Sequence, residues 1–209
     1  MALASKLKTA FRSMEVAAID RWLKIDTTSL YETLHDRSGW LNDSNWYESC
    51  DYILLRRYLD EMELSPADTV YDIGCGMGRV LCLLARRELK KVAGIEFSPE
   101  IAETARVNLR NLRGKVSPAE VIAGDASKVD YTDGTLFILV NPFGEETMKL
   151  VLERIRQDLE ANPRPVRFAY LNPRHDDVLQ ASGWLTLVRK TGVPGYWTKM
   201  SYWRSRSTG

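Results

Sequence analysis

Apolar residues follow two different spacings along this chain, and the two spacings alternate through most of its length. Short, continuous apolar runs predict strands that are buried on both faces. Between these runs, apolar residues recur every three or four positions, which predicts amphipathic helices. Strands that alternate with helices predict an α/β fold, in which a mostly parallel sheet carries helices on both faces.

Seven strands are predicted in this way. They lie at 70–73, 91–96, 121–126 (with an exit loop), 136–140, 166–171, 184–189 and 197–203. Helices are predicted at 4–24, 47–59, 79–85, from 98 onward, at 147–160 and at 176–181. A Pro-Gly pair at 194–195 lies between the last two strands, and such a pair marks a turn. The chain is therefore predicted to end in an antiparallel hairpin.

The segment before the first strand reads as a separate helical unit. We predict an N-terminal cap or lid over residues 1–62 and a core over residues 63–209. In the first helix, one face is predicted to be apolar. That face consists of Leu7, Phe11, Met14, Ala18 and Trp22.

A glycine-rich turn joins the first strand to the helix at 79–85. Gly74, Gly76 and Gly78 allow backbone angles that other residues avoid, and they let a ligand approach closely. The dinucleotide fingerprint Gly-x-Gly-x-x-Gly requires its last glycine at the place where Arg79 stands. Asp72, two residues before Gly74, would repel a pyrophosphate and suits a ligand that carries an ammonium group.

The pattern Asp-x-Gly-x-Gly-x-Gly at 72–78 resembles motif I of class I S-adenosylmethionine-dependent methyltransferases. The resemblance implies a Rossmann-like seven-stranded sheet in which six strands are parallel and the strand in the penultimate position is reversed. It also implies S-adenosylmethionine as the cofactor. Glu96 lies 20 residues beyond Gly76, the offset of a ribose-binding carboxylate. The family places an adenine-binding Asp where Asp125 ends the third strand; the alternative is that both acids are solvated loop carboxylates.

The candidate cofactor-binding residues come from the cap, from the loops after the first three strands and from the end of the fourth. They are Tyr47, Asp72, Gly74, Cys75, Gly76, Gly78, Glu96, Phe97, Asp125, Ala126 and Asn141. Tyr47 and Tyr52 are candidates because an aromatic face attracts a cationic sulfonium. Trp40 and Trp46 could serve in the same way, or all of these rings could simply pack the cap onto the sheet.

The candidate catalytic residues follow the fourth strand. Asn141, Pro142 and Phe143 resemble the Asn/Asp-Pro-Pro-aromatic motif of amino-methyltransferases. That resemblance implies a side chain and turn carbonyls that accept hydrogen bonds from a target nitrogen, and a ring that stabilises the developing positive charge. The second proline is missing and the aromatic residue comes one place early, so a turn with Asn as its Asx residue is the alternative. His175, after the fifth strand, is a candidate general base or a surface residue.

Composition limits the partners and the compartment. The chain has 209 residues, 44% of them hydrophobic, and a net charge of +1. Because no broad positive field is present, and because arginines are interspersed with acids, we expect a protein or small-molecule acceptor and consider nucleic acid unlikely. The three cysteines lack the spacing of metal ligands or of a redox pair, and the chain has no long apolar run. We therefore predict a cytoplasmic protein with no metal site and no membrane partner. The oligomeric state stays open.

These features favour transfer of a methyl group from S-adenosylmethionine to nitrogen, in a protein side chain or a small-molecule amine. A small-molecule O- or C-methyltransferase is the alternative. An NAD-dependent oxidoreductase is a more distant one, disfavoured by Arg79 and by the terminal hairpin. A non-catalytic module that keeps the cofactor fold is disfavoured because Asp72, the three glycines, Glu96 and Asp125 are all present.

Overall fold

A computed structural model describes residues 2–29, 50–192 and 199–206, with side chains from residue 12 onward. Within these ranges the chain forms one seven-stranded sheet. Its strands are β1 (Thr69–Ile73), β2 (Lys91–Glu96), β3 (Ala119–Ala123), β4 (Leu136–Val140), β5 (Arg167–Leu171), β6 (Leu185–Gly192) and β7 (Lys199–Ser205). The order across the sheet is β3-β2-β1-β4-β5-β7-β6, and β7 runs opposite to the other six strands. This confirms the predicted sheet with a reversed penultimate strand.

Helices cover both faces of this sheet. They are α1 (Ala2–Leu23), α2 (Tyr52–Glu61), α3 (Arg79–Leu84), α4 (Pro99–Asn111), α5 (Glu145–Ala161) and α6 (Asp176–Ala181). One apolar cluster joins the sheet to α2, α3 and α4, through residues such as Leu55, Leu81 and Leu109. The opposite cluster joins the sheet to α5 and α6, through residues such as Ile155 and Leu179. Burial on both faces explains why the strands read as continuous apolar runs.

Most predicted elements lie where the pattern places them. The bounds of β2, β4 and α6 agree with the prediction, and Ser98 caps α4 by accepting the backbone N–H of Ile101 at 3.4 Å. Pro99 occupies the first turn of α4, where its missing N–H costs nothing. β6 and β7 pair antiparallel from Leu185 to Gly192, while the predicted turn at 193–196 lies outside the described residues.

Two predictions about the N-terminal helices are wrong. The second helix begins at Tyr52 rather than at residue 47, although residues 47–49 are outside the described ranges. In α1, the predicted apolar face is exposed at Met14, Ala18 and Trp22, with Met14 and Trp22 73% and 47% exposed. The side chains of Leu7 and Phe11, the rest of that face, lie outside those described. The helix instead buries a face that carries Val16, Asp20 and Leu23, because the polar Asp20 is enclosed by hydrogen bonds from within the fold.

No helix in the described ranges is both long and apolar enough to cross a membrane.

Candidate active site

The strand order reverses between β1 and β4, and this reversal opens a crevice at their carboxyl ends. Ligands of open α/β sheets bind at such a switch point. Gly74 follows β1 and Pro142 follows β4, and the two are in close contact. A Cβ atom on Gly74 would lie 2.3 Å from the Cβ of Pro142, so only glycine fits there. The motif I loop and the Asn-Pro-Phe segment therefore share one crevice.

The motif I loop adopts the unusual backbone that its glycines predict. Gly74, Gly76 and Gly78 have φ values of +76°, +55° and +86°, a region that favours glycine. The backbone N–H groups of Gly74 and Cys75 both donate to the carbonyl of Ile95, at 2.8 and 2.9 Å. The loop is thus fastened to β2 at the point where that strand ends.

Glu96, the predicted ribose ligand, ends β2 beside this loop. Its Oε2 accepts the backbone N–H of Gly76 at 3.0 Å and its Oε1 accepts that of Ser98 at 2.9 Å. Burial raises the pKa of Glu96, and the N–H groups of Ser98 and Gly76 counteract this in part. The two bonds hold the carboxylate in one orientation against the glycine loop.

Asp72 is the most unusual acid of the site. It is 1% exposed on β1, and within the described part of the chain neither of its carboxylate oxygens has a hydrogen-bond partner. Burial raises the pKa of Asp72 to about 7, with the nearby backbone of Leu81 opposing this shift and the charge of Glu96 adding to it. A buried carboxylate without a partner is costly unless a cation or donor reaches it.

The remaining cofactor candidates lie around the ends of β1, β2 and β3. The carboxylate of Asp125 accepts the N–H and hydroxyl of Ser127 at 2.9 and 2.7 Å and pairs with Lys128. Burial alone would raise the pKa of Asp125, but these bonds outweigh it and lower the pKa.

Ala126 begins a short 3₁₀ turn after Asp125, and Phe97 is 49% exposed. Cys75 is buried, and its thiol lies against Gly94 of β2.

The candidate catalytic segment lies across the crevice from Glu96. Asn141 is 2% exposed and has a φ of +46°, which asparagine tolerates better than most residues. Pro142 packs on Gly74, as described above. The Phe143 side chain, 8% exposed, belongs to the apolar cluster on the α5 face of the sheet. Asn141 therefore carries the polar side chain of the segment, and that side chain is buried just after β4.

Tyr170 is a site residue that the sequence pattern did not reveal. Its hydroxyl donates to Oδ1 of Asn141 at 3.2 Å and accepts the backbone N–H of His175 at 3.4 Å. Burial raises the pKa of Tyr170 to about 12, so the hydroxyl keeps its proton at neutral pH. His175 is half-buried before α6 and is connected to Asn141 through this tyrosine. The sequence signal that could have identified Tyr170 is its hydroxyl, which stands at the otherwise apolar end of β5.

The predicted cap aromatics have different outcomes. Tyr47, Trp40 and Trp46 lie outside the described residues. Tyr52 is fully buried, and its hydroxyl donates to Asp20 rather than pointing into the crevice. Its ring faces the guanidinium of Arg79 at 5.0 Å, which is a packing role.

These groups fit S-adenosylmethionine better than a dinucleotide. The unpartnered Asp72 suits an ammonium group, and the oriented carboxylate of Glu96 suits ribose hydroxyls. The glycine loop leaves no room for a side chain where it meets Pro142. The two carboxylates beside the loop, those of Asp72 and Glu96, would repel a pyrophosphate. The hydrogen-bond donors and acceptors of the site therefore suit a cationic nucleoside ligand.

Comparison with known proteins agrees with this geometry. A family model described as a methyltransferase domain matches residues 70–164. An RNA methyltransferase from Salinibacter ruber, solved in complex with S-adenosyl-L-homocysteine, shares the fold with a TM-score of 0.55 at 19% identity. The alignment covers 77% of this chain and 95% of that one. Residues 70–164 thus match a methyltransferase domain, and the fold is one that S-adenosylmethionine-dependent methyltransferases share.

Relatives among curated proteins differ in the acceptor that their names give. A probable ribosomal RNA small subunit methyltransferase A from Methanosarcina acetivorans is 40% identical over 101 residues, covering 45% of this chain and 36% of the relative. A protein-lysine N-methyltransferase from Saccharolobus islandicus is 32% identical over 105 residues, covering 48% and 63%. A probable cobalt-precorrin-6B C(15)-methyltransferase from Methanococcus maripaludis is 32% identical over 108 residues, covering 50% and 57%. The chain thus spans between about a third and two thirds of the length of these relatives.

The similarity to ribosomal RNA methyltransferases corrects one expectation. We considered a nucleic acid partner unlikely because the net charge is only +1. Relatives named for ribosomal RNA overturn that inference. Net charge averages over the whole surface, whereas a nucleic acid contacts only the part that it covers, so a near-neutral chain does not exclude such a partner.

Proposed function

We propose that this chain transfers the methyl group of S-adenosylmethionine to a nitrogen atom, and that Asn141 orients that nitrogen. The supporting observation is the contact between Gly74 of the cofactor loop and Pro142, which follows Asn141 directly. It supports a position for the buried amide beside the crevice, in which Glu96 and Asp72 would contact the cofactor. The name of the protein-lysine N-methyltransferase relative supports the choice of nitrogen.

The residues of the glycine loop and β2 hold the cofactor in this proposal. Glu96 accepts the ribose hydroxyls, with its carboxylate fixed by the backbone of Gly76 and Ser98. Asp72 faces the ammonium end, and Asp125 faces the adenine amino group. Bound S-adenosylmethionine supplies a methyl group on a positively charged sulfur, which a nucleophile displaces directly.

Asn141 provides the orientation that such a displacement requires. A nitrogen acceptor that donates an N–H to the amide oxygen directs its lone pair away from that bond. An amide oxygen can accept two hydrogen bonds, so the bond from Tyr170 is compatible with a second one from the substrate. Positioning and electrostatics supply most of the acceleration in such a reaction. His175 is the alternative catalytic group, as a base for an acceptor that must lose a proton first.

A labelling assay identifies the acceptor. The purified protein is incubated with a cell lysate and methyl-labelled S-adenosylmethionine, and the label is separated into protein, nucleic acid and small-molecule fractions. Mass spectrometry of the labelled product then identifies the methylated atom. We expect an N-methyl product in one fraction; an O-methyl or C-methyl product would contradict the proposal.

Asn141→Gly tests the role of the amide, since glycine keeps the positive φ without strain. We expect turnover to fall roughly 10²-fold, the scale of losing one positioned hydrogen-bonding group. Affinity for S-adenosylhomocysteine should change little, because the amide faces the acceptor. Asn172→Gly is the matched control, since Asn172 also precedes a proline at a strand end and has a φ of +51°. Near-normal turnover of Asn141→Gly would reduce the motif to a structural turn.

A further inference from the structure

A buried polar network joins the N-terminal segment to the start of α3. It consists of Asp20, Thr27, Tyr52 and Arg79, none more than 5% exposed. Arg79 donates from Nε and Nη2 to the hydroxyl of Thr27, at 2.9 and 2.7 Å, and from Nη1 to the carbonyl of Cys50 at 3.1 Å. The N–H and hydroxyl of Thr27 in turn donate to Oδ2 of Asp20, both at 2.8 Å. Thr27 thus connects a buried guanidinium with a buried carboxylate.

Asn108 of α4 makes a second connection between the same two regions. Its Nδ2 donates to the carbonyls of Asp26 and Met77, at 2.7 and 2.8 Å. Its Oδ1 accepts the backbone N–H of Asp26 at 2.8 Å. The side chain is 3% exposed, so water competes little for these bonds.

Both connections end on the motif I loop. Met77 lies between Gly76 and Gly78, and Arg79 follows directly. Three glycines with positive φ occur within five residues here, and glycine restricts its own backbone less than any other residue. Such a loop needs contacts from elsewhere to keep one conformation. Thr27 supplies one by accepting from Arg79, and Asn108, which is itself bonded to Asp26, supplies another by donating to the Met77 carbonyl.

We propose that Arg79 and Asn108 are positioning residues for the cofactor. Through Asp26 and Thr27 they hold residues 76–78 so that the N–H of Gly76 stays bound to Glu96. The segment Asp20–Thr27 then contributes to cofactor binding through these two residues. This inference concerns cofactor binding, so it does not depend on nitrogen being the acceptor.

The chemistry of the network supports positioning over simple packing. Well-packed apolar residues often stabilise a core as much as a buried charged group does. Here the two residues that flank Gly78 are joined to adjacent residues of the N-terminal segment. Arg79 donates to Thr27, and Asn108 donates to the carbonyls of both Met77 and Asp26. Coupling between two sites is reciprocal, so cofactor binding must tighten the segment as much as the segment tightens binding.

The test measures binding of S-adenosylhomocysteine and needs no acceptor. Calorimetry compares Thr27→Val and Asn108→Ala with two matched controls, Thr28→Val and Asn111→Ala, which change exposed neighbours on the same elements. Hydrogen exchange follows the amides of residues 20–27 and 74–78 in the wild-type protein with and without the ligand. Thr27→Ser keeps the hydroxyl and serves as the conservative variant.

We expect Thr27→Val and Asn108→Ala each to weaken S-adenosylhomocysteine binding by roughly 10-fold or more, while both controls and Thr27→Ser stay within about twofold. In the wild type, the ligand should slow exchange at residues 20–27. Unchanged affinity in folded Thr27→Val and Asn108→Ala proteins, or no slowing at residues 20–27, would overturn the proposal. A wild-type protein that binds no S-adenosylhomocysteine would overturn the methyltransferase proposal together with this one.

Discussion

The two sides of the crevice hold their polar groups by different means. At the ends of β1 and β2, the Glu96 carboxylate is fixed by backbone N–H groups of Gly76 and Ser98. At the ends of β4 and β5, the Asn141 amide is bound by a side chain, the Tyr170 hydroxyl from the neighbouring strand. Backbone donors are available to any sequence that adopts the loop, whereas a pair of side chains depends on two particular residues.

This difference bears on the range of acceptors for which the relatives are named. The region matched by the methyltransferase domain, residues 70–164, contains the glycine loop, Glu96, Asp125 and Asn141. The named acceptors of the relatives nevertheless range from ribosomal RNA to protein lysine and a corrin carbon. A cofactor site built on backbone geometry can stay constant while the acceptor side changes by single substitutions.

The largest effect is expected where the two sides meet. Gly74→Ala adds a Cβ that collides with Pro142 at a residue with a φ of +76°. Strain and overpacking together should lower the free energy of unfolding by about 2–5 kcal/mol. Gly183→Ala isolates the strain, because Gly183 has a φ of +80° and nothing within 4 Å of the added atom. Urea unfolding of both variants checks this; equal losses would mean that the Pro142 contact is unimportant.

A smaller effect is expected on the acceptor side alone. Tyr170→Phe removes the hydroxyl that orients Asn141 and should lower turnover about 10-fold, the scale of one hydrogen bond, without changing affinity for S-adenosylhomocysteine. Added to Asn141→Gly, it should cause no further loss. Tyr202→Phe is the control, since that buried hydroxyl donates to the Met62 carbonyl instead. A weaker cofactor affinity in Tyr170→Phe would show that the two sides are not separable.

An effect no larger than this concerns pH and the cofactor side. In the free protein the pKa of Asp72 is raised to about 7, chiefly by burial, whereas an unfolded Asp has a pKa of 3.8. The folded state therefore holds an extra proton between about pH 4 and 7, and its stability falls as pH rises through that range. An ammonium ligand prefers the ionised carboxylate, so binding should weaken by up to about tenfold per unit as pH falls below 7.

Calorimetric titration with S-adenosylhomocysteine between pH 6 and 8 measures this dependence. Asp72→Asn should remove most of it, because the amide does not titrate. A wild-type affinity that stays constant over this range would show that Asp72 does not face the charged end of the ligand.

Local signals were enough to predict most of the fold and the positions of the glycine loop and Glu96 beside it. The apolar runs of β2 and β4 and the Ser98-Pro99 start of α4 depend only on neighbouring residues, and their predicted positions are confirmed. Glu96 could be proposed from its spacing to Gly76, and in the structure the two are joined by a hydrogen bond. Its role in binding ribose stays a prediction.

Groups that depend on distant partners were not predictable. The buried face of α1 was misassigned because Asp20, a polar residue, is enclosed by Thr27 and Tyr52. Arg79 entered the sequence argument only as a missing glycine, although it is a buried donor to the N-terminal segment. Tyr170 belongs to an apolar run, and only the strand pairing of β4 with β5 brings it near Asn141.

The central claim is that the crevice beside Gly74 and Glu96 binds S-adenosylmethionine through a ribose contact to Glu96. The most direct measurement is calorimetric titration of the wild type and of Glu96→Ala with S-adenosylhomocysteine, with NAD titrated in parallel. We predict one S-adenosylhomocysteine site and no NAD binding in the wild type. Glu96→Ala should keep the fold and lose about 1.5–3 kcal/mol of binding for each hydrogen bond removed. Unchanged S-adenosylhomocysteine affinity in Glu96→Ala, or binding of NAD by the wild type, would contradict the account.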